Sequence, residues 1–140
     1  MRNCRPILLV EDDQTDVVTT KRALKELNIT NDLVHKVDGE GALEYLRDES
    51  NIRPCVIFLD LNLPKMNGFE FMEIVKSDNS LKKIPVIIVT ASDTDESVTK
   101  SFDLAAAGYV LKAVDYGEFA ESMRTVDKYW TLSSLPSHCD

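Results

Sequence analysis

The sequence has few of the residues that mark disulfide scaffolds, zinc sites or membrane spans. Cysteine occurs three times, at Cys4, Cys55 and Cys139, and no two of these form a CxxC pair. We therefore expect free thiols in a reducing cytosol. The first apolar run, at residues 7–10, is too short for a signal peptide or a membrane span. These absences predict a cytoplasmic protein with no membrane contact.

Positive charge and glycine are also scarce. The 140 residues contain 16 Lys and Arg against 24 Asp and Glu, which gives a formal net charge of −8. Such a chain repels nucleic acid and anionic lipid, so we expect neither as a partner. The five glycines are scattered and form no Gly-rich loop for nucleotide phosphates. The hydrophobic fraction of 44% fits a single globular domain.

Short apolar runs alternate five times with amphipathic segments. We predict strands at residues 7–10, 32–37, 55–59, 86–89 and 109–111, and helices at 16–27, 41–47, 69–75, 97–106 and from about 115 towards 130. In the helix at 97–106, Val98, Phe102 and Ala105 are expected to face inward. Apolar strands between amphipathic helices indicate a parallel sheet covered on both faces. The predicted fold is α/β, a doubly wound five-stranded sheet of flavodoxin-like order 2-1-3-4-5.

Polar side chains follow four of these strands. Glu11 and Asp12 follow the first strand, Asp60 the third, Thr90 the fourth and Lys112 the fifth. The carboxyl ends of parallel strands open on one edge of a sheet, so we expect these side chains to meet. Three carboxylates in one crevice repel each other, so either one of them is protonated or a cation neutralises them, and Mg²⁺ is a cation that suits such ligands. A carboxylate there can act as a nucleophile and form an acyl phosphate, with lysine and threonine stabilising the oxygens.

Each of these residues also has a simpler interpretation. Acidic residues after a strand often cap the next helix, and a single Asp is often a turn residue. A flavodoxin-like cofactor binder would place glycines and hydroxyls after the first strand, where this chain has acids. An aspartyl-phosphate hydrolase would carry a second carboxylate two residues after Asp60, where Asn62 stands. The order and spacing of the whole set favour phosphoryl acceptance.

Four segments resemble the response-regulator receiver family, in its single-domain, chemotaxis-regulator-like form. They are LVEDD at 9–13, LDLNLPKMNG at 59–68, IPVIIVTA at 84–91 and AGYVLK at 107–112. The resemblance implies that Asp60 is the phosphoacceptor. It also implies an Mg²⁺ site made by Asp12 directly, by Glu11 through water, and by Asp60 and the Asn62 backbone carbonyl. Thr90 and Lys112 would contact the phosphoryl group, and Tyr109 would be the switch aromatic.

One position departs from the family. The family usually has proline, joined by a cis peptide, after the lysine, and this chain has Ala113 after Lys112. A cis bond before alanine costs about 2.5–4 kcal/mol, so we expect a trans peptide here, or else an unusually strained one.

The resemblance also implies partners. A separate histidine kinase must donate the phosphoryl group, and we expect a signalling protein rather than an enzyme. Too few residues follow Lys112 for an effector domain. We therefore predict a stand-alone receiver over residues 1–126, whose output is a protein contact. The alternative is a degenerate receiver that serves only as a docking or dimerisation module.

Residues 127–140 are predicted to extend the last helix and to form a tail with a possible dimer contact. An apolar stripe at helical spacing predicts an interface formed by Phe119, Met123, Tyr129 and Trp130, although the first part of the stripe fits a core. The extended helix and the KKIP segment at 82–85 are similar to the small response regulators that partner bacterial phytochromes, which are commonly dimeric. We therefore expect a homodimer.

Overall fold

Strands and helices alternate along the whole of the described chain. The computed structural model describes residues 5–112 and 115–132, except for the side chains of 130–132. The strands are β1 (Ile7–Val10), β2 (Leu33–Lys36), β3 (Val56–Leu59), β4 (Val86–Thr90) and β5 (Gly108–Leu111). The helices are α1 (Gln14–Glu26), α2 (Gly39–Arg47), α3 (Gly68–Ser77), α4 (Asp95–Asp103) and α5 (Tyr116–Leu132).

The five strands form one parallel sheet in the order β2-β1-β3-β4-β5, which confirms the predicted topology. Every residue of β1, β3 and β4 is buried, as expected for strands that are covered on both faces. Apolar side chains of α2 and α3 pack on one face of the sheet. Those of α1 and α5 pack on the other. The carboxyl ends of the central strands therefore point to one shared edge.

Short-range hydrogen bonds set where the helices begin. Asp13 is the N-cap of α1, because its side chain accepts from the backbone N–H groups of Thr15 at 2.8 Å and Asp16 at 3.2 Å. Asn67 and Glu70 form a capping box at the start of α3. The simpler interpretation of the acids after the first strand is therefore right for Asp13.

The prediction for the fourth helix is wrong at its end and on its inward face. The backbone of Ala105 lies in the left-handed region, with φ of 67°, and α4 stops at Asp103. The N–H groups of Ala105 and Ala106 bond back to the carbonyls of Phe102 and Ser101, which closes the helix as a Schellman motif. Phe102 is 50% exposed and Ala105 is exposed, whereas Val98 is half-buried as predicted. The buried residue of α4 is Ser101, whose hydroxyl donates to the carbonyl of Ser97 at 2.8 Å.

The last helix corrects part of the predicted interface. Phe119 and Met123 are buried in the core between α1, α5 and the sheet, so they are not available to a second molecule. They are buried because the first turns of α5 lie over the apolar face of the sheet. Tyr129 is 59% exposed, and the side chain of Trp130 lies outside the described part of the molecule.

Over residues 5–112 and 115–132, none of the helices combines the length and the apolar character that a bilayer crossing requires.

Candidate functional site

Three acidic side chains meet at the carboxyl edge of the sheet. Glu11 and Asp12 follow β1, and Asp60 follows the neighbouring strand β3. One carboxylate oxygen from each lies within 4.8 Å of the others. Glu11 and Asp60 are buried, whereas Asp12 is exposed. The predicted convergence of these residues is observed.

Lys112 lies at the centre of the negative charge. Its Nζ atom is 2.6 Å from a carboxylate oxygen of Glu11, 2.7 Å from one of Asp16 and 3.1 Å from one of Asp60. The side chain of Lys112 is only 16% exposed, so solvent screens these pairs less than it screens surface pairs. One ammonium therefore faces more carboxylates than its single charge can balance.

The electrostatics favour an ionised Asp60. Burial raises the pKa of Asp60, but the positive charge and the hydrogen bond of Lys112 outweigh it, and this pKa lies below its ordinary value. Burial raises the pKa of Glu11 to about 7. The hydrogen bond from Lys112 lowers this pKa, and the negative charge of Asp60 raises it further. Burial acts to lower the pKa of Lys112, yet hydrogen bonds to Asp16 and Glu11 raise it above its ordinary value. Asp60 is therefore a carboxylate, and Lys112 a cation, near neutral pH.

The other predicted residues surround this centre. Thr90, at the end of β4, is fully buried, and its hydroxyl oxygen accepts from the backbone N–H of Ser92 at 3.4 Å. The backbone N–H of Asn62 donates to Asp60 at 3.3 Å. Tyr109 is half-buried on β5, and its hydroxyl donates to the carbonyl of Ser92 at 2.6 Å. The peptide bond between Lys112 and Ala113 lies outside the described residues.

Gly68 allows the start of α3 to lie directly against the backbone of Asp60 and Leu61. A Cβ atom at this position would come within 2.7 Å of the Asp60 carbonyl oxygen and of the Leu61 Cα atom. The N–H of Gly68 donates to the carbonyl of Leu61 at 2.9 Å. The start of α3 therefore packs directly under the acidic centre, and only glycine fits there.

Asp16 is the functional candidate that sequence reasoning missed. It lies in the first turn of α1, where an acid is ordinarily explained by the helix dipole. Its partner Lys112 is 96 residues away in sequence, so no local pattern reveals the pair. The one available signal was its position one helical turn after Asp12, on the helix that begins at the crevice.

The donor set fits a hard divalent cation. Glu11, Asp12 and Asp60 supply carboxylate oxygens alone, the ligand type that Mg²⁺ prefers, and their mutual repulsion would be relieved by positive charge. Beside this cluster lie the buried hydroxyl of Thr90 and the ammonium of Lys112. An α/β sheet with this arrangement at its carboxyl edge defines a class of protein that handles phosphoryl groups with a cation.

Comparisons with known proteins identify the family within this class. Residues 7–124 match the model of the response regulator receiver domain. The chain is 33% identical over 128 residues to the response regulator Rcp1 of a Synechocystis species, covering 89% of this chain and 87% of that protein. The chain therefore belongs to the response-regulator receiver family.

Solved structures are similar over nearly the whole chain. The phosphorylated cyanobacterial phytochrome response regulator RcpA superposes with a TM-score of 0.86 at 33% identity, covering 95% of this chain and 99% of that one. The Mn²⁺-bound form of response regulator Rcp1 gives a TM-score of 0.86 at 32% identity, with the same coverage. These likenesses agree with the observed strand order.

Proposed function

We propose that this protein accepts a phosphoryl group on Asp60 from a partner histidine kinase, in a reaction that depends on Mg²⁺. The observation that carries the proposal is the buried, ionised Asp60 carboxylate, with Lys112 at 3.1 Å and two further acids within 4.8 Å. Burying a carboxylate among other acids costs free energy, and the single charge of Lys112 does not neutralise the whole cluster. Asp60 is a suitable nucleophile when a cation and a phosphoryl donor arrive.

The chain's own residues account for the transfer. An Asp60 oxygen forms a bond to phosphorus, and the bond between phosphorus and the donor's leaving atom breaks. For a phosphohistidine donor, the electron pair goes to the imidazole nitrogen, which then takes a proton from water. Lys112 and the Thr90 hydroxyl are placed to stabilise the charge on the phosphoryl oxygens. Mg²⁺ held by Glu11, Asp12, Asp60 and the Asn62 backbone carbonyl would supply further positive charge to those oxygens.

The relatives support a proposal about the partner, and the net charge supports one about the output. RcpA is described as a phytochrome response regulator, and we propose that a phytochrome-type histidine kinase is the donor for this chain as well. The net charge of −8 disfavours DNA as the output partner. We propose that the phosphorylated protein signals through contacts with other proteins, with Tyr109 relaying the state of the site.

The test is phosphorylation by a small donor. Wild-type protein incubated with acetyl phosphate and Mg²⁺ is expected to gain one phosphoryl group that is stable in acid and labile in base. Asp60→Asn should gain none. Asp95→Asn, which removes one exposed carboxylate from the first turn of α4, is the matched control and should react like wild type. A wild-type protein that takes up no phosphate under these conditions contradicts the proposal.

We also propose that residues 127–140, which follow the receiver domain of residues 1–126, contribute to a homodimer. The support is the 59% exposure of Tyr129, a large aromatic side chain near the end of α5. Light scattering with and without beryllofluoride should show a dimer in at least one of the two states. Substitution of both Tyr129 and Trp130 by Ser should give a monomer in both. A monomeric wild-type protein in both states would exclude this contact.

A further inference from the structure

Asp16 contacts the site without belonging to its acidic cluster. Its carboxylate lies 2.7 Å from Nζ of Lys112. Helix capping does not explain this orientation, because Asp13 already accepts from the N–H groups at the start of α1. The side chain of Asp16 is 33% exposed and that of Lys112 is 16% exposed, so the pair is shielded more than an ordinary surface pair.

Three carboxylates compete for the Lys112 ammonium. It donates hydrogen bonds to Asp16 and Asp60 and forms an ion pair with Glu11, all within 3.1 Å. A phosphoryl oxygen that approaches Lys112 must compete with these three contacts. The longest is the 3.1 Å bond to Asp60, and Asp60 is the group that changes during transfer.

The three partners differ in what happens to them during the reaction. Asp60 becomes an acyl phosphate, and its negative charge moves to the phosphoryl oxygens. Glu11 belongs to the cluster that fits a cation. Asp16 lies outside that cluster, so in the proposed reaction it is neither phosphorylated nor a ligand of the cation.

We propose that Asp16 is a positioning residue, which holds the Lys112 ammonium at the crevice while its other bonds are exchanged for phosphoryl oxygens. This inference rests on the proposed phosphorylation of Asp60. Without Asp16, Lys112 would keep its charge but would have one fixed carboxylate fewer to orient it. Phosphoryl transfer would then slow, because the ammonium would have to be brought into the right orientation before each transfer.

The kinetic test is a double-mutant cycle with acetyl phosphate as the donor. At saturating donor and Mg²⁺, Asp16→Asn is expected to lower the phosphorylation rate about tenfold, or about 1.4 kcal/mol. In a Lys112→Ala background the same change should alter the residual rate by less than about twofold, because Asp16 acts through Lys112. Asp16→Glu should recover the rate to within about threefold. Asp95→Asn is the control for loss of a first-turn acid and should change neither background.

A spectroscopic test needs no phosphoryl group. In metal-free protein labelled with ¹⁵N-lysine, the Lys112 ammonium signal, assigned by its loss in Lys112→Ala, should be visible because its protons exchange slowly. Asp16→Asn should broaden or shift this signal and leave those of the other lysines in place. A signal that is unchanged in Asp16→Asn overturns the inference.

The outcomes separate the two proposals. If wild-type protein takes up no phosphate, the proposed function fails, and this inference fails with it. If wild type is phosphorylated but Asp16→Asn reacts as fast, or slows equally in both backgrounds, only the positioning role of Asp16 is refuted.

Discussion

Replacing Asp12 by Asn should stabilise the protein in the absence of metal and remove its stabilisation by Mg²⁺. Asp12 is the one exposed member of the acidic cluster and has no ion pair with Lys112 among the described contacts. The substitution keeps the shape of the side chain and deletes one negative charge. In metal-free protein this charge is repelled by the Asp60 carboxylate and, at pH 8, above the Glu11 pKa of about 7, by the Glu11 carboxylate as well.

The magnitude follows from the separation of the three carboxylates. Two unit charges 4.8 Å apart repel by about 0.9 kcal/mol in water and by about 3.5 kcal/mol at an effective permittivity of 20. Asp12 is exposed, and Lys112 offsets part of the charge of its neighbours, so the lower end applies. We expect Asp12→Asn to raise the free energy of unfolding by about 1–2 kcal/mol without metal. Wild type at a tenfold excess of Mg²⁺ over its dissociation constant should gain about 1.4 kcal/mol.

The assay is urea unfolding followed by circular dichroism, in EDTA and in Mg²⁺. Asp12→Asn should be more stable than wild type in EDTA and should not respond to Mg²⁺. Asp95→Asn should lower the free energy of unfolding by about 0.3–1 kcal/mol, because it removes a negative charge from the N-terminus of α4, and should keep the full Mg²⁺ response. If Asp12→Asn is less stable than wild type in EDTA, or keeps the wild-type response to Mg²⁺, the account of the cluster as a cation site is refuted.

Three further predictions concern the scaffold. Ala105→Gly should stabilise by about 0.5–1 kcal/mol, because the exposed alanine has a left-handed backbone that glycine adopts without strain; urea unfolding checks this, and a stability no higher than that of the neighbouring Ala107→Gly would refute it. Gly68→Ala should lower the phosphorylation rate and the stability together, because its Cβ would press within 2.7 Å of the Asp60 carbonyl oxygen; unchanged acetyl phosphate kinetics would contradict this. Burial raises the pKa of Cys55 to about 11, so with the other two cysteines replaced by serine its alkylation should be slow at pH 7–8 and accelerate as the pH rises towards that pKa, where half of the thiol is ionised; rapid labelling at neutral pH would be the opposite result.

The sheet and its edge could be predicted from sequence because their determinants are local. Continuously apolar runs such as residues 56–59 mark strands buried on both faces, and the residue that follows each strand lies at the carboxyl edge whatever the helices do. The three-acid cluster is therefore a consequence of topology. The same argument predicted the positions of Thr90 and Lys112, because each lies at the carboxyl end of a strand and no side-chain pairing is needed to locate it.

Features that depend on one backbone conformation or on a distant partner could not be predicted. Val98, Phe102 and Ala105 have helical spacing, but the left-handed turn at Ala105 ends α4 and leaves Phe102 half exposed. The apolar stripe of α5 fitted a core as well as an interface at Phe119, and the position at which α5 crosses the sheet, which decides between the two, is not reported by the periodicity. The pairing of Asp16 with Lys112 likewise depends on the packing of α1 beside the end of β5.

The hydrogen bond from Tyr109 to the carbonyl of Ser92 has a consequence for populations. The bond is 2.6 Å long and ties the tyrosine hydroxyl to the loop that follows Thr90. Any conformation in which this ring turns away must give up the bond, which is worth about 1 kcal/mol net. At room temperature that corresponds to a bias of roughly fivefold towards the observed rotamer. The ring of Tyr109 also packs against the core on that face of the sheet, so a conformation that turns it away loses this packing in addition to the hydrogen bond, and the observed rotamer is favoured by more than about fivefold.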